Sequence, residues 1–140
     1  MEFKGEYRFL SNMYQYPQIR YGKGVYSCVE SAFQAAKCAS DKERKLFESL
    51  NGFQAKARGQ TVVMVPNWEK IKVNIMKSLV EQKFDNWKLR QKLREVKGDI
   101  YEDNGWKDDF WGRYHGTGAN HLGKILMEIR DSIEASVIKI

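Results

Sequence analysis

The chain has 140 residues, with 24 Lys+Arg against 18 Asp+Glu and a formal net charge of +6, so it has the size of one ordinary domain and needs no metal or disulfide staple to build a core. Hydrophobic residues make up 42% and charged residues 30%, a balance that excludes disordered and membrane-spanning classes. No run approaches the ~20 apolar residues of a membrane span, and the start, Met1-Glu2-Phe3-Lys4, lacks the basic-then-apolar pattern of an export signal.

The first 26 residues are aromatic and broken by Gly5, Pro17, Gly22 and Gly24. Short β-compatible runs at Tyr7-Phe9, Ile19-Tyr21 and Val25-Tyr26 predict a small β element, a hairpin among them. Ser27 stands three residues before Glu30, the spacing of a capping box, and Val29, Ala32, Phe33 and Ala36 form a helical stripe, predicting a helix from Cys28 to about Ala39. Asp41 can cap a second helix, Lys42 to Leu50, closed by a left-handed Asn51-Gly52. A turn of helix over Gln54 to Arg58 ends at Gly59, and Thr61-Val65 is extended before Pro66.

Asn67 caps a long helix from Trp68 to about Phe84, faced by Ile71, Ile75, Met76, Leu79 and Val80. Asn86 restarts a helix with Leu89, Leu93 and Val96 inward and Gly98 at its end; Ile100-Glu102 can form a short strand. Residues 103 to 119 make a loop rich in glycine and aromatics, too long to be a mere connection. Asn120 caps a last helix with Leu122, Ile125, Leu126, Ile129 and Ile133 inward. The expected fold is predominantly α-helical with a small N-terminal β element, one domain over 1-140.

Several residues can carry chemistry. Glu30, Gln34 and Lys37 lie on one polar stripe of their helix, although a capping box would by itself occupy Glu30. The loop around Asp108, Asp109 and Trp111 sets carboxylates beside aromatics, which suits base stacking next to an acid, or a loop pinned by buried tryptophans. Gly118 to Lys124 imitates a phosphate-binding P-loop but has Ile125 where a hydroxyl must hold magnesium and follows no buried strand; an anion at the helix N-terminus is the surviving version. His115 and His121 keep no metal-ligand spacing, and Cys28 and Cys38 read as reduced, buried thiols of a cytoplasmic protein rather than nucleophiles. The basic pI of 9.3 fits an anionic partner, yet acids are interleaved with the bases.

Taken in order, Tyr7-Arg-Phe-Leu-Ser-Asn12, Tyr26-Ser-Cys-Val-Glu30-Ser-Ala-Phe-Gln34-Ala-Ala-Lys37, Ala55-Lys-Ala-Arg-Gly59, Trp68, Lys83-Phe84, Asp108-Asp-Phe-Trp111-Gly112 and Gly118-Ala-Asn120-His-Leu-Gly123-Lys-Ile-Leu-Met-Glu-Ile-Arg130 resemble the NADAR family, also called YbiA-like. The resemblance runs from about Phe3 to Ile133. It implies a mainly helical fold and hydrolysis of the N-glycosidic bond of a phosphorylated ribosyl group, in ADP-ribosyl-guanine of nucleic acid or nucleotide, or in a ribosylamino-pyrimidine phosphate of riboflavin synthesis. A non-catalytic module that binds ADP-ribose or a modified base is the alternative. By match to the family pattern, Glu30 and Asp108 are the catalytic carboxylates and Trp68 and Trp111 the stacking tryptophans. Asn12, Gln34, Lys37, Asn120 and Gly123 fall at positions that shape the pocket or hold phosphate, and Lys37, Arg8 or Lys124 would counter the phosphate charge. The implied chemistry requires no metal or redox cofactor. Departures from the pattern fall at Ser31, Gln60 and Arg113, where relatives often carry histidine, arginine and an acidic residue, and they leave the core carboxylates Glu30 and Asp108 alone.

Overall fold

The computed structural model describes residues 1–138, with the side chains of 137 and 138 left aside. Helices dominate and one two-stranded antiparallel sheet accompanies them, which is the expected fold class. Among the described residues, no helix is long and apolar enough to cross a membrane. Backbone contacts divide the chain into two compact units, Asn12–Lys83, and Met1–Ser11 with the chain from Phe84 onward.

In the unit Asn12–Lys83, β1 (Ile19–Tyr21) and β2 (Gly24–Tyr26) form a hairpin in which Ile19 faces Tyr26 and Tyr21 faces Gly24. Gly22 takes φ +56 at the first position of the two-residue turn, where an ordinary side chain would be strained. Helix α1 (Val29–Lys37) packs on α3 (Gly52–Arg58) and α4 (Trp68–Lys83). Its apolar stripe, Val29, Ala32, Phe33 and Ala36, is buried as the periodicity requires. The exposed edge of β1 is closed by a side chain of α4: Arg20 N–H donates to Gln82 Oε1 (2.8 Å) and Gln82 Nε2 donates to the Arg20 carbonyl (2.7 Å).

Helix α2 is shorter than the spacing predicts, Asp41–Leu46, with Ser40 rather than Asp41 as its cap (Glu43 N–H to Ser40 Oγ, 3.2 Å), and a 3₁₀ turn over Phe47–Ser49 follows. Asn51-Gly52 opens a helix instead of closing one. Asn51 has φ −78 and forms a reciprocal capping box with Gln54, so the amide outcompetes the left-handed turn that Asn-Gly favours elsewhere. The segment before Pro66 is extended, bonding Ala39 N–H to the Val63 carbonyl and Val65 N–H to that of Lys37. On α4, Met76, Leu79 and Val80 are buried, but Ile71 is exposed and Ile75 half-buried, so the inward face is narrower than its apolar residues suggest.

In the other unit, Tyr7–Phe9 is not a strand. Gly5–Leu10 is a 3₁₀ helix, started by Gly5 at φ +57 and closed by local bonds such as Ser11 N–H to the Arg8 carbonyl, because burial of both Phe9 and Leu10 suits a turn rather than an alternating strand. Phe9 meets Phe84 edge-on at 6.3 Å. Helix α5 (Trp87–Glu95) is capped by Asn86, whose side chain accepts from Lys88 and Leu89 N–H (both 3.1 Å). It packs on α6 (His121–Ile138) and buries Leu89 and Leu93, while α6 buries the five expected apolar residues. Ile100–Glu102 forms no strand; Ile100 is fully buried and its carbonyl is taken by Asn120 Nδ2 at 3.0 Å.

Candidate active site

The first turn of α1 is built differently from the Ser27–Glu30 capping box that the spacing suggests. Ser27 Oγ donates to the Leu50 carbonyl (2.6 Å), and Cys28 is the N-cap, its Sγ accepting from Ser31 N–H at 3.5 Å. Glu30 N–H donates to the Asn12 carbonyl at 3.0 Å. With the box unformed, the half-buried Glu30 carboxylate is turned to another partner: Gln34 Nε2 donates to its Oε1 at 2.9 Å.

Gln34 and Lys37 continue this stripe onto α3. Gln34 is buried, and its Oε1 lies so close to Gly59 that a Cβ there would come within 1.9 Å of it. Lys37 Nζ donates to the Gly59 carbonyl at 2.7 Å, which ties the lysine to the end of α3. Trp68 is 6% exposed and packs on Phe33, with ring centroids 5.0 Å apart at 49°. Asn12 turns its Nδ2 to Met76 Sδ at 3.4 Å. Glu30, Gln34 and Lys37 thus share one face of α1, while Asn12 meets the first turn of α1 through its carbonyl and turns its side chain to α4.

Lys83 is a group to which the sequence assigned no role. It closes α4, is fully buried, and has its Nζ 5.3 Å from the Tyr14 ring centroid. Burial lowers its pKa to about 7, with the nearby Cys28 thiol acting in the opposite sense. A lysine at the end of an amphipathic helix ordinarily reads as a solvated C-terminal charge, so only its place beside Val80 and Phe84 hinted at burial. Burial also pushes the Cys28 and Cys38 thiols up, and both are free and buried, unlike activated nucleophiles.

In the other unit, Asp108 organises the loop before α6. Its Oδ1 accepts from Phe110 and Trp111 N–H (3.1 and 2.9 Å), while Asn104 holds it from the other side through Asp108 N–H to Asn104 Oδ1 (3.0 Å) and Asn104 Nδ2 to the Asp108 carbonyl (2.8 Å). In the sequence Asn104 reads as one more turn residue; the structure makes it the residue that holds the Asp108 backbone. The half-buried Trp111 stands edge-on to Phe110 at 4.8 Å, and Phe110 lies 4.4 Å from the His121 ring.

The N-terminus of α6 is not an open anion site. His121 N–H donates to the Phe110 carbonyl (3.1 Å) and Leu122 N–H to that of Trp111 (3.0 Å), so the loop itself consumes these donors. Asn120 does not cap with its side chain; buried at φ +54, it reaches back to Ile100. Gly123 admits that approach, since a Cβ there would lie 2.1 Å from the Ile100 carbonyl oxygen. Arg8 and Lys124 are exposed.

Comparison with known proteins agrees with the motif order. The model of the NADAR domain matches residues 2–134. An N-glycosidase of Nostoc punctiforme is 29% identical over 77% of this chain and 74% of its own length, and N-glycosidase YbiA of Escherichia coli is 28% identical over 91% of this chain and 82% of its own. A riboflavin biosynthesis protein of Vibrio vulnificus is 34% identical over 49% of this chain, which covers 19% of that protein. The NMR structure of YbiA from Escherichia coli superposes with a TM-score of 0.84 at 26% identity, covering 100% of this chain and 88% of that one. The enzyme class expected from the sequence, a hydrolase of N-glycosyl bonds, is the class of the relatives named N-glycosidases. A family model that spans nearly the whole chain, together with this shared fold, shows that the protein belongs to the NADAR family.

Proposed function

We propose that this chain is an N-glycosidase that hydrolyses the C1′–N bond of a phosphorylated ribosyl substrate, either an ADP-ribosyl-guanine adduct or a ribosylamino-pyrimidine phosphate. Residues 1-140 act as one functional domain in this reading, since one family model runs across both compact units. The observation that carries it is the carboxylate of Glu30, which accepts from Gln34 Nε2 while the Ser27 hydroxyl is taken by the Leu50 carbonyl.

Breaking the bond sends its electron pair and a proton to the leaving base and leaves positive charge on the sugar. A fixed carboxylate stabilises that charge and takes the proton of the water whose oxygen bonds to C1′. Glu30 has this task. Asp108 is the second carboxylate, positioning the ribose or supplying the base with its proton, and the two roles are exchangeable. The family resemblance assigns Trp68 and Trp111 to the base and sugar, and Lys37, Arg8 or Lys124 to the phosphates. This chemistry needs no metal or redox cofactor. The two free, buried cysteines favour a reducing, cytoplasmic setting.

The test is incubation with ADP-ribosylated guanine in a short DNA and, separately, with a ribosylamino-pyrimidine phosphate, following the released base by mass spectrometry. Release from one substrate names the class. Tight binding with no release from either overturns the enzyme reading in favour of a non-catalytic ADP-ribose reader.

A further inference from the structure

Helix α5 carries on its outer side an arrangement that the candidate active site does not use. Leu89 and Leu93 are buried, and the side opposite them presents Trp87, one of the most exposed large apolar side chains at 71%. At helical spacing Gln91 follows Trp87 one turn on, with Lys88 and Lys92 in the row to one side and Arg90 and Arg94 in the row to the other. An indole is thus set between two basic rows.

The charges on this face are available to a polyanion. Lys88 Nζ stands 6.0 Å from the Trp87 ring centroid, and Lys92 Nζ 5.6 Å from the Phe9 ring. Both lysines are exposed. Arg94 is paired with Glu134 at 3.0 Å, which leaves Lys88, Lys92 and Arg90 against Glu95 alone within the helix. Exposure alone does not distinguish Trp87, since Phe53 and Val63 are as exposed, but an indole flanked by cations has the chemistry of a stacking platform for bases beside a phosphate backbone.

We propose that the outer face of α5 docks single-stranded nucleic acid, with Trp87 stacking one base and Lys88, Lys92 and Arg90 contacting phosphates. A membrane surface fits less well, because interfacial helices need a broad apolar face and here the polar Gln91 and Glu95 adjoin the one indole. The inference deepens the N-glycosidase reading by making the substrate polymeric, and it rests on that reading only for what the bound strand is held for. An enzyme acting on a base must take it out of the duplex stack, and a surface for unpaired strand meets that need.

The experiment uses the full chain, Trp87→Ala and the double variant Lys88→Glu/Lys92→Glu, with a labelled unmodified single-stranded DNA followed by anisotropy over a salt series. The proposal expects Trp87→Ala to weaken binding roughly tenfold. The double variant should flatten the slope of log K against log salt by about 1.4, as loss of two phosphate contacts requires. Both variants should melt as the parent does, since the altered side chains are exposed. On a small ribosyl substrate their kcat/KM should equal the parent's, while on the same adduct in an oligonucleotide it should fall roughly tenfold with the affinity. Unchanged DNA affinity in both variants overturns the proposal, as does loss of binding to phosphatidylserine vesicles with DNA binding intact. If no substrate is turned over by any form, the N-glycosidase reading fails and the anisotropy still decides this one.

Discussion

Gln34 Nε2 donates to Glu30 Oε1 at 2.9 Å across one turn of α1, and Gln34 is itself wedged against Gly59. The glutamine therefore transmits the position of α3 to the carboxylate. Gly59→Ala forces the amide aside, since the new Cβ would sit 1.9 Å from Gln34 Oε1. The clash falls on the movable end of a side chain, so turnover should drop at least tenfold while stability falls by only about 1 kcal/mol. Steady-state kinetics alongside urea denaturation measures both; an unchanged turnover would show that Gln34 does not hold Glu30 in its working position.

Gly123→Ala should behave in the opposite way. There the new Cβ would lie 2.1 Å from a backbone oxygen, that of Ile100, and the same carbonyl is the acceptor of Asn120 Nδ2. Backbone cannot step aside cheaply, so a loss of about 2–3 kcal/mol is expected, and the denaturation midpoint reads it directly.

For Asp108 the two substitutions Asp108→Asn and Asp108→Ala separate charge from geometry. An asparagine oxygen can still accept from Phe110 and Trp111 N–H, which preserves the loop, whereas alanine leaves both without that acceptor. Asp108→Ala should cost about 1–2 kcal/mol of stability and Asp108→Asn much less. If Asp108 also acts as the second carboxylate, Asp108→Asn should lower kcat about a hundredfold in a protein that melts normally. Equal activity in wild type and Asp108→Asn would leave the residue a loop organiser only.

Lys83 makes stability depend on pH in a definite direction. Its folded pKa of about 7 lies below the ordinary 10.5, so between these values the unfolded chain binds the proton more readily and the folded state gains as pH rises. The buried thiols work the other way only from about pH 9 upward, where the unfolded chain loses protons that the folded state retains. Denaturation midpoints should therefore climb from pH 7 toward 9 in the wild type and stay flatter in Lys83→Met. A wild-type midpoint that falls across that window would contradict the buried amine.

The helices were legible because their apolar spacing decides which face is buried: Leu122, Ile125, Leu126, Ile129 and Ile133 all point inward on α6. What escaped was set by competition between polar groups. Ser27 matches a capping pattern, but the Leu50 carbonyl, 23 residues away, claims its hydroxyl. Asn51-Gly52 favours a left-handed stop, but Gln54 completes a box that starts a helix. Likewise the burial of Lys83 comes from tertiary surroundings that no local spacing encodes, whereas Asn104 bonds Asp108 only four residues on, in a loop whose irregular backbone hides the pairing. Glu30, Gln34 and Lys37 were readable as a stripe, whereas the hydrogen bonds that orient each of them were not.

In the proposed mechanism Glu30 performs chemistry rather than capping α1. Single-turnover hydrolysis by Glu30→Gln, measured beside its thermal melt, tests it most directly, since glutamine keeps the size of the side chain and removes its charge. A loss of a hundredfold or more in rate, with a melting temperature close to that of the wild type, is the predicted result. Near-native turnover with about 1 kcal/mol of stability lost would mark Glu30 as a helix-start residue without a part in the chemistry.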